Sequence, residues 1–555
     1  MDNKSELLFV PLGGVGEIGM NLALYGYGPK NKREWIMVDC GVTFPGPTLP
    51  GVDLVLPDIT FVQELGDALK GIVITHAHED HYGALLSLWP LIRKPLWCTP
   101  FTAGMLEAKL QSDSIGEDLP VKVYRAGEKF NVGPFNIEAV HVTHSIPEPV
   151  SLAIKSPLGT LIHTGDWKID AEPTLGLPTD EATFRRLGKE GVLAMICDST
   201  NAMREGESPT ETAVSSSLAE VIQNAKGRVA ITTFSSNVGR IRSIAKAAES
   251  VGRRVMLMGR SMKRVCEVSE ELGYLDGLQP FIEEDEFASI DRNKIVIICT
   301  GSQGEDRAAV AKLARDEHPR VSLAAGDLVV YSSRVIPGNL KSILDIQNML
   351  ADRGIDIIND GEEMVHVSGH PRIGELRQMY DWVKPQISVP VHGEGLHLSA
   401  HAKLAGEFGV PEVAPIRNGD LLRLAPGPAE IVDTIHHGRI YKDGNIIGSE
   451  EEVGVKDRRK LSYAGLVACS VVIDHNGRLA DEIDVSVHGL PELNKQNEAF
   501  DDLIFDAATS AVESIPPKRR KDVSVVEGAV YKSIRAVVRN NWGKKPIVTV
   551  FVAKV

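Results

Sequence analysis

The sequence predicts an α/β protein of several domains, on three observations. The chain has 555 residues, of which 43% are hydrophobic and 24% charged, an ordinary balance for a globular protein with ample core. Residues 206–365 alternate apolar runs of strand length with helical stretches, which is typical of a parallel, doubly wound sheet. The pattern changes again near the C-terminus, where we expect a separate small domain.

These changes of pattern divide the chain into five predicted segments. Short apolar runs between turns fill residues 1–205, the regular alternation fills 206–365, and shorter runs return in 366–432. Residues 433–458 are polar and rich in glycine, and we interpret them as a linker. Residues 459–555 predict an α/β domain with a hairpin, two amphipathic helices and a closing strand.

Charge and cysteine usage exclude some classes of protein. The net charge of −15 argues against a protein that coats nucleic acid non-specifically, although it allows a local basic channel. The sequence contains neither an apolar run of membrane-spanning length nor a basic, apolar leader, so we expect no membrane partner. The six cysteines are scattered without C-x-x-C pairs, which indicates reduced thiols in a cytoplasmic protein.

The stretch PLGGVGEIGMN contains the spacing G-x-G-x-x-G at Gly14, Gly16 and Gly19, with Asp39 about twenty residues later. This spacing is typical of dinucleotide-binding proteins, in which a helix follows the glycines. The residues that follow here predict a hairpin instead, because NLALYGYG and REWIMVD flank a turn. We therefore expect the glycines to allow close backbone approach to a substrate, and Asp39 remains a candidate site residue.

The segment GIVITHAHEDHYGALL carries the strongest chemical signal. An apolar strand ends at Thr75, and His76, His78, Asp80 and His81 follow at once. Two histidines at i and i+2 point the same way from an extended backbone, while Asp80 and His81 lie on the turn into a helix. The segment can therefore supply two pairs of ligands to two neighbouring metal positions. Imidazole and carboxylate suit Zn²⁺, with Mn²⁺ as the main competitor.

This H-x-H-x-D-H pattern resembles the first metal motif of the metallo-β-lactamase superfamily. The resemblance implies further ligands at later strand ends, and His144, Asp166 and His392 occupy such positions. It also implies that Asp166 bridges the two metals. Asp39 would not bind a metal itself but would orient the side chains that do. The implied ligands are His76, His78 and His144 for one metal and Asp80, His81 and His392 for the other.

The long gap between Asp166 and His392 resembles the β-CASP branch, in which a nucleic-acid-binding domain is inserted into the lactamase fold. That branch expects an acid at a strand end, matched by Asp198, and a histidine motif after the insert, matched by HVSGH. Together with TFSSNVGRI and TGSQGE, these motifs resemble the bacterial ribonuclease J family. The implied fold is an αββα sandwich with an inserted doubly wound β-CASP domain and a small α/β C-terminal domain.

The resemblance implies a ribonuclease with two Zn²⁺ ions per subunit, for which Mn²⁺ or Mg²⁺ could substitute. A metal pair activates a water and stabilises the attacking and leaving oxygens of an in-line displacement at phosphorus. The implied activity is 5′→3′ exonuclease cleavage of 5′-monophosphorylated RNA, with endonuclease cleavage, in mRNA decay and rRNA 5′-end maturation. The implied catalytic residues are Asp80, Asp198, His366 and His370, with His370 the proton donor to the leaving oxygen.

The implied partner is single-stranded RNA, and the resemblance also implies a homodimer or homotetramer and association with other RNA-decay proteins. Polar loops after buried strands offer hydroxyl and amide groups to phosphates. The predicted phosphate contacts are Ser235, Ser236, Asn237, Ser302, Gln303, His366, Ser368 and His370. Basic residues that could line a channel are Arg240, Arg260, Lys263, Arg264 and Arg334.

Two other functions stay open at this point. A hydrolase of small esters or lactams could use the same metal ligands, although the large insert and HVSGH argue against it. A non-catalytic RNA-binding subunit of a degradation complex would be expected to have lost metal ligands, whereas this chain retains all seven.

Overall fold

The computed structural model describes residues 4–112, 118–336 and 338–555. Its internal contacts group the chain into two units, one of Met1–Thr43 with Leu56–Arg439 and one of Phe44–Val55 with Ile440–Val555. The five segments predicted from the sequence are finer than this division and stay a prediction.

Two sheets form the centre of the first unit. The first has the strand order Glu430–Thr434, Asp420–Ala425, Glu6–Gly13, Leu22–Gly28, Glu34–Val38, Leu69–Val73, Leu96–Cys98 and Val121–Val123. The second has the order Glu412–Val413, Ile387–Val391, Ala194–Asp198, Gly159–His163, Val150–Ser156, Phe135–His141 and Lys129–Val132. Because alternate side chains point to opposite faces of a strand, Leu7 and Phe9 of the first sheet join Ile137 and Leu152 of the second in one buried cluster.

Helices complete the layers on the outer faces of these two sheets. The flanking helices are Thr60–Leu65, Gly66–Ala68 (a 3₁₀ turn), Glu79–Tyr82, Leu85–Ile92, Pro100–Ser112, Glu181–Glu190, Ile373–Val383 and Gly395–Glu407. On the outer face of the second sheet, Met195 packs in a cluster with Phe184 and Leu376. On the first sheet, Leu8 and Leu24 are fully buried on the face away from the shared core. The predicted α/β class and αββα sandwich are confirmed.

The insert is a five-stranded sheet with parallel pairing throughout. Its strand order is Arg254–Met258, Ile295–Cys299, Val229–Thr232, Leu328–Tyr331 and Asp356–Ile358. Its helices are Glu211–Asn224, Val238–Ser250, Arg260–Glu271, Ala309–Arg315 and Leu340–Asp352, with 3₁₀ turns at Phe287–Ser289 and Arg292–Lys294. The order of connection reverses beside the central strand Val229–Thr232, and such sheets bind ligands at the carboxyl ends of strands at this point. The predicted doubly wound sheet is confirmed.

Three loops lie side by side at this carboxyl edge. The Thr233 hydroxyl donates to the Ser332 carbonyl at 3.3 Å, and the Ser333 hydroxyl donates to the Ser302 carbonyl at 3.4 Å. The loops that follow the three central strands of the insert are therefore tied to one another. The first of them reaches the predicted ligands, since the Ser236 hydroxyl lies 3.0 Å from His78 Nε2.

The second unit has its own core beneath a three-stranded sheet. The strand order is Asp484–His488, Leu466–Ile473 and Ile547–Lys554, with the first pair antiparallel and the second parallel. The helices of this unit are Val455–Ala464, Phe500–Ser514, Pro517–Arg520 and Val523–Trp542, and the strand Ile446–Gly448 also belongs to it. The strands Leu54–Pro57 and Arg439–Asp443 lie across the boundaries between the two units. The hairpin and two helices predicted for the C-terminal segment are present. Residues Val467, Ile504 and Val530 share its buried cluster.

The predicted linker 433–458 is a folded segment. It contains the antiparallel strands Arg439–Asp443 and Ile446–Gly448, with Gly444 at φ +57° in the turn between them. A two-residue turn that needs positive φ explains the glycine at position 444. Composition indicated a linker because turn residues and linker residues are the same types.

The six cysteines are buried and free of disulfides. Within the three ranges that the structure describes, no helix combines the length and apolar character needed to cross a bilayer.

Arg240 corrects one of the predicted channel residues. Its side chain is 0% exposed, so it cannot line an open channel. The guanidinium donates to Glu211 Oε2 at 2.8 and 3.1 Å, to the Ser332 hydroxyl at 2.6 Å and to the Val365 carbonyl at 3.0 Å. The buried ion pair joins the first two helices of the insert, and the hydrogen bond to Val365 ties the second helix to the segment that precedes His366.

We expect Arg240→Met to lower the free energy of unfolding by about 3–5 kcal/mol, because it leaves a buried carboxylate without its partner. The measurement is the midpoint of urea unfolding followed by circular dichroism. Lys246→Met, at an exposed position of the same helix, is the matched control and should leave the midpoint nearly unchanged. Equal midpoints for both variants and the wild type would contradict this role of Arg240.

Candidate metal centre

The segment after strand Leu69–Val73 places four polar side chains at one end of the first sheet. His76 is buried, and the short helix Glu79–Tyr82 starts immediately after His78, whose backbone is extended. Asp80 and His81 therefore leave the first turn of a helix, while His76 and His78 leave an extended chain. The imidazole rings of His76 and His78 lie 4.9 Å apart between centroids.

Three imidazole nitrogens converge in the first group of possible metal ligands. His78 Nδ1 lies 3.1 Å from His76 Nε2 and 3.0 Å from His144 Nε2. Asp166 Oδ2 lies 3.9 Å from His76 Nε2 and 3.6 Å from His144 Nε2. All four donor atoms lie within 4.8 Å of one another.

A second group shares Asp166 with the first. His81 Nε2 lies 3.2 Å from Asp166 Oδ1 and 3.7 Å from Asp80 Oδ2. His392 Nε2 lies 3.9 Å from Asp80 Oδ2 and 3.6 Å from Asp166 Oδ2. These four residues also offer donor atoms within 4.8 Å of one another. The structure thus brings all seven sequence-predicted ligands together, with Asp166 between two sets of three.

The donor atoms fit divalent cations. Asp166 Oδ1 and His392 Nε2 are buried and have no hydrogen-bond partner among the described residues. Such orphaned atoms are costly unless something else binds them. Burial lowers the pKa of His76 and His144 well below the ordinary value and that of His78 to about 4. These rings are therefore neutral at pH 7 and offer lone pairs, as metal ligands must.

The charge around His81 also favours a cation. Burial alone would lower the pKa of His81, but the carboxylates of Asp166, Asp80 and Asp39 outweigh it and raise this pKa well above its ordinary value. Three carboxylates thus surround one imidazole. A metal ion would neutralise the same negative charge in place of the proton.

Hydrogen bonds on the far side of each ring fix which nitrogen faces the centre. His81 Nδ1 lies 2.7 Å from Asp39 Oδ2, His144 Nδ1 lies 2.6 Å from the Gly369 carbonyl, and His392 Nδ1 lies 2.8 Å from Asn21 Oδ1. Each acceptor requires a proton on Nδ1, so Nε2 is left with its lone pair. Asp39 thus has the orienting contact that the resemblance implied for it.

Asn21 is a site residue that the sequence did not reveal. Its amide oxygen accepts from His392, and its amide nitrogen donates to the Asp80 carbonyl at 3.0 Å. It stands at the end of the glycine stretch, with no spacing relation to His392, which lies 371 residues away. A signal for this role was absent from the local sequence.

The glycine stretch approaches the protein's own chain, which corrects the expectation of a substrate contact. The Gly14 carbonyl accepts from His392 N at 2.6 Å, and Val15–Gly16 pairs in parallel with Gly393–Glu394. A Cβ on Gly14 would lie 2.3 Å from Asn21 Oδ1 at a φ of +82°. Glycine is required at position 14 because any side chain would clash with Asn21, and because other residues rarely adopt this positive φ. The strand Leu22–Gly28 follows directly, in line with the predicted hairpin.

Asp198 and His370 form a pair beside the two groups. Asp198 Oδ2 lies 2.8 Å from His370 Nδ1, and His370 Nδ1 lies 3.9 Å from Asp166 Oδ2. Burial would lower the pKa of His370, but Asp198 and Asp166 outweigh it and raise this pKa to about 9. The ring therefore carries a proton at neutral pH, with Nε2–H free to donate.

The loop that carries Ser368 and His370 is held by Asn201, a second residue without a sequence signal. Asn201 Nδ2 donates to the Ser368 hydroxyl at 2.9 Å and to the His370 carbonyl at 3.0 Å. Nearby, the Thr200 hydroxyl donates to Asp198 Oδ1 at 2.7 Å and to the His392 carbonyl at 3.2 Å. The turn after strand Ala194–Asp198 therefore positions both histidines.

Three of the predicted phosphate-binding residues have other roles in the structure. Asn237 caps the helix Val238–Ser250 by accepting from Arg240 N at 3.0 Å. The Gln303 amide donates to the Arg334 carbonyl at 2.8 Å and accepts from Ile336 N at 2.9 Å. Ser302 is 3% exposed. The structure corrects the prediction of phosphate contacts for these three side chains, because their polar groups are buried or used within the protein.

The two remaining serines of the insert lie nearer the centre. The Ser236 hydroxyl lies 3.0 Å from His78 Nε2, and Ser235 is half-buried next to it. His366 is half-buried, and its Nδ1 is without a hydrogen-bond partner in the part of the chain that the structure describes. Burial, with the positive charges of Arg240 and Arg334, holds the pKa of His366 well below its ordinary value. These three side chains remain predicted phosphate contacts.

Four parts of the chain match known families. Residues 34–177 match the beta-lactamase superfamily domain, and residues 226–350 match the ribonuclease J beta-CASP domain. Residues 356–415 match the Zn-dependent metallo-hydrolase RNA specificity domain, and residues 453–555 match the ribonuclease J C-terminal domain.

Full-length relatives extend this likeness. Ribonuclease J of Sinorhizobium meliloti is 60% identical over 555 residues, which cover 100% of this chain and 98% of the relative. Ribonuclease J of Corynebacterium glutamicum is 36% identical over 544 residues, 97% of this chain and 74% of the relative. A solved structure of a protein of unknown function from Enterococcus faecalis V583 has a TM-score of 0.53 at 15% identity. The match covers 75% of this chain and 100% of the Enterococcus chain, and it shows a likeness of fold alone.

We expect His392→Ala to lower the ratio of divalent metal to protein, because it removes one donor from the second group. The measurement is elemental mass spectrometry of dialysed protein. His397→Ala, five residues further on and outside both groups, is the matched control and should keep the wild-type ratio. Wild-type protein that is free of divalent metal would contradict the assignment of this centre.

Proposed function

The chain belongs to the ribonuclease J family of the metallo-β-lactamase superfamily, and from this premise we propose that it is a metal-dependent ribonuclease. It removes nucleotides from RNA in the 5′→3′ direction, prefers a 5′-monophosphate and also cuts internally. Its proposed roles are mRNA decay and maturation of rRNA 5′ ends. The observation that carries the proposal is the convergence of seven ligand side chains beside the Asp198–His370 pair.

The two ligand groups would hold two divalent cations, with Zn²⁺ the proposed ion and Mn²⁺ or Mg²⁺ as substitutes. His76, His78, His144 and Asp166 would bind one, and Asp80, His81, His392 and Asp166 the other. Cations in such a pair supply Lewis acidity toward phosphoryl oxygens and lower the pKa of a bound water. Asp166 would serve both, since its Oδ2 lies 3.6 Å from His144 Nε2 of the first group and its Oδ1 lies 3.2 Å from His81 Nε2 of the second.

His370 would protonate the leaving 3′ oxygen, so that the products carry a 5′-phosphate and a 3′-hydroxyl. Its Nδ1 is fixed by Asp198, which leaves Nε2–H as the donor. This arrangement holds the ring in one orientation, and the charge of Asp198 favours its protonated form, as a general acid requires. Asp198 acts through His370 and is a positioning residue in this scheme.

Ser368 and His366 would hold the non-bridging oxygens of the scissile phosphate. The Ser368 oxygen accepts from Asn201, so its own hydroxyl proton is free for a phosphate oxygen. His366 has an unpartnered Nδ1 within the described residues. Ser235 and Ser236, at the carboxyl edge of the insert sheet, would contact the phosphate of the 5′ nucleotide.

The proposed setting is the cytoplasm, as a homodimer or homotetramer that associates with other RNA-decay proteins. The six buried, free cysteines support a reducing compartment.

His370→Ala should lower kcat by about 10²–10⁴-fold, the usual contribution of a general acid, and leave RNA affinity nearly unchanged. Single-turnover cleavage gives the rate, and fluorescence anisotropy gives the Kd. The metal content of the same preparation is the control, because an intact centre is needed for the comparison. Equal losses in rate and affinity would contradict the role of proton donor.

A direct test of the reaction uses a 5′-monophosphorylated, internally labelled RNA. We expect mononucleotides to accumulate from the 5′ end and a chelator to stop the reaction, because the proposed chemistry depends on bound cations. The double variant Asp80→Ala with His81→Ala should be inactive in the same assay. Full cleavage in chelator or by the double variant would contradict the proposal.

A further inference from the structure

Three arginines lie around the segment from His366 to Arg372. Arg372 ends this segment, Arg204 lies in the loop after strand Ala194–Asp198, and Arg334 follows strand Leu328–Tyr331 of the insert. Ile373 N donates to the Arg204 carbonyl at 3.0 Å, which joins the first two loops. The three arginines therefore come from different parts of the chain and meet beside the loop of Ser368 and His370.

The Ser332 hydroxyl joins the third loop to the same place. It donates to the Val365 carbonyl at 2.6 Å. Ser332 lies two positions before Arg334, and Val365 lies immediately before His366. Gln303 also fixes the backbone at Arg334. The position of Arg334 beside the His366 segment is thus set by hydrogen bonds on both sides.

The protein supplies little negative charge to these arginines. Arg334 Nη2 lies 3.8 Å from Asp360 Oδ2, a loose pair that is 31% and 27% exposed. Within residues 4–112, 118–336 and 338–555, no carboxylate lies within 4.0 Å of the guanidinium of Arg204 or Arg372. The cluster therefore carries an excess of positive charge.

Glu375, close to Arg372 in sequence, does not balance this charge. Its carboxylate accepts from the backbone N–H groups of Ile169, Ser208 and Arg372 and from the Ser208 hydroxyl, at 2.8 to 3.0 Å. Both oxygens are thus used to join loops and to cap the helix Ile373–Val383. Among the residues that the structure describes, the Arg372 guanidinium is left without a carboxylate partner.

Buried donors in the cluster lack acceptors. Arg334 Nη1 and Arg372 Nε are buried and have no hydrogen-bond partner in the described part of the chain. Burial lowers the pKa of Arg334, and the charges of Arg204 and Arg372 lower it further. Unpaired, mutually repelling guanidinium groups are costly, and an anion bound between them would relieve both penalties.

We infer that Arg204, Arg334 and Arg372 bind a backbone phosphate of the RNA that neighbours the scissile phosphate. This inference rests on the proposed ribonuclease function. Guanidinium groups match phosphate oxygens in geometry and charge. The cluster lies at the carboxyl edge of the insert sheet, and Arg372 is only two residues from His370, so the bound phosphate would adjoin the reacting one.

An RNA strand fits this cluster better than a small free anion does. Arg204 is exposed, whereas Arg334 and Arg372 are half-buried, so the three groups run from the surface toward the centre. A strand that enters the site would pass all three. A free phosphate has the same chemistry, and the experiment distinguishes the two sources.

The test is the KM and kcat of a 5′-monophosphorylated RNA at several salt concentrations. For Arg334→Gln and Arg372→Gln we expect KM to rise about fivefold to tenfold at low salt with kcat nearly unchanged. The log–log salt dependence of KM should fall in magnitude by about 0.7 for each phosphate that a variant does not bind. Arg204→Gln is at an exposed position, with no ion pair to any described residue, so this variant should fold as the wild type does and should also raise KM.

Arg320→Gln is the matched control for charge. Arg320 is exposed and precedes strand Leu328–Tyr331, at the opposite edge of the insert sheet, so its replacement should leave KM and the salt dependence as in the wild type. Unchanged KM in the triple variant Arg204→Gln, Arg334→Gln and Arg372→Gln would overturn the inference. An effect limited to weaker inhibition by inorganic phosphate would also overturn it, in favour of a small-anion site.

The ribonuclease function and the arginine site can be tested separately. If the wild type does not cleave RNA, the proposed function is wrong and this inference fails with it. If the wild type cleaves RNA and the three arginine variants match it at every salt concentration, the function stands and only the arginine site is wrong.

Discussion

The buried carboxylate of Asp166 sets the main physical constraint on this protein. It is 3% exposed, lies between two sets of three ligand side chains, and has one oxygen without a hydrogen-bond partner in the described residues. Burying a charge in this way is unfavourable unless opposite charge lies beside it. His76, His78 and His144 are neutral and supply lone pairs, which cannot balance that charge. Protonated His81 and His370 can balance it, and so can bound cations. A fold that keeps Asp166 here therefore has to keep positive charge beside it.

Strand ends from both sheets meet this constraint. His76 and Asp39 follow strands of the first sheet, whereas Asp166, Asp198 and His392 follow or end strands of the second. Asp39 has φ +62° and His392 has φ +50°, a backbone conformation that residues other than glycine rarely adopt. Their neighbours fix this strained backbone, since His392 N donates to Gly14 and Asp39 accepts from Thr75 N at 2.8 Å. Such strain is found where the surrounding structure specifies one geometry for function.

The sequence predicted the ligands but not what holds them. His76, His78, Asp80 and His81 were visible because metal-binding side chains recur at a fixed local spacing after a strand. Asn21 acts on His392 from 371 residues away, and an asparagine in a glycine-rich turn has many ordinary explanations. Its role depends on tertiary contacts that local spacing does not encode.

Burial explains the predictions that needed correction. The side chains of Arg240, Asn237 and Gln303 are suited to phosphate, and the sequence predicts phosphate contacts for Asn237 and Gln303 and a channel position for Arg240. In the structure each holds the insert together, as a buried ion pair, a helix cap and a link between loops. The identity of a polar residue predicts what it can bind, whereas exposure decides whether an external ligand can reach it. Those roles suggest that the insert fixes the reacting groups as well as contacting RNA, because Arg240 and Ser332 both bond the Val365 carbonyl immediately before His366. A change in the packing of the insert would therefore move the loop of His366 and His370 relative to Asp166.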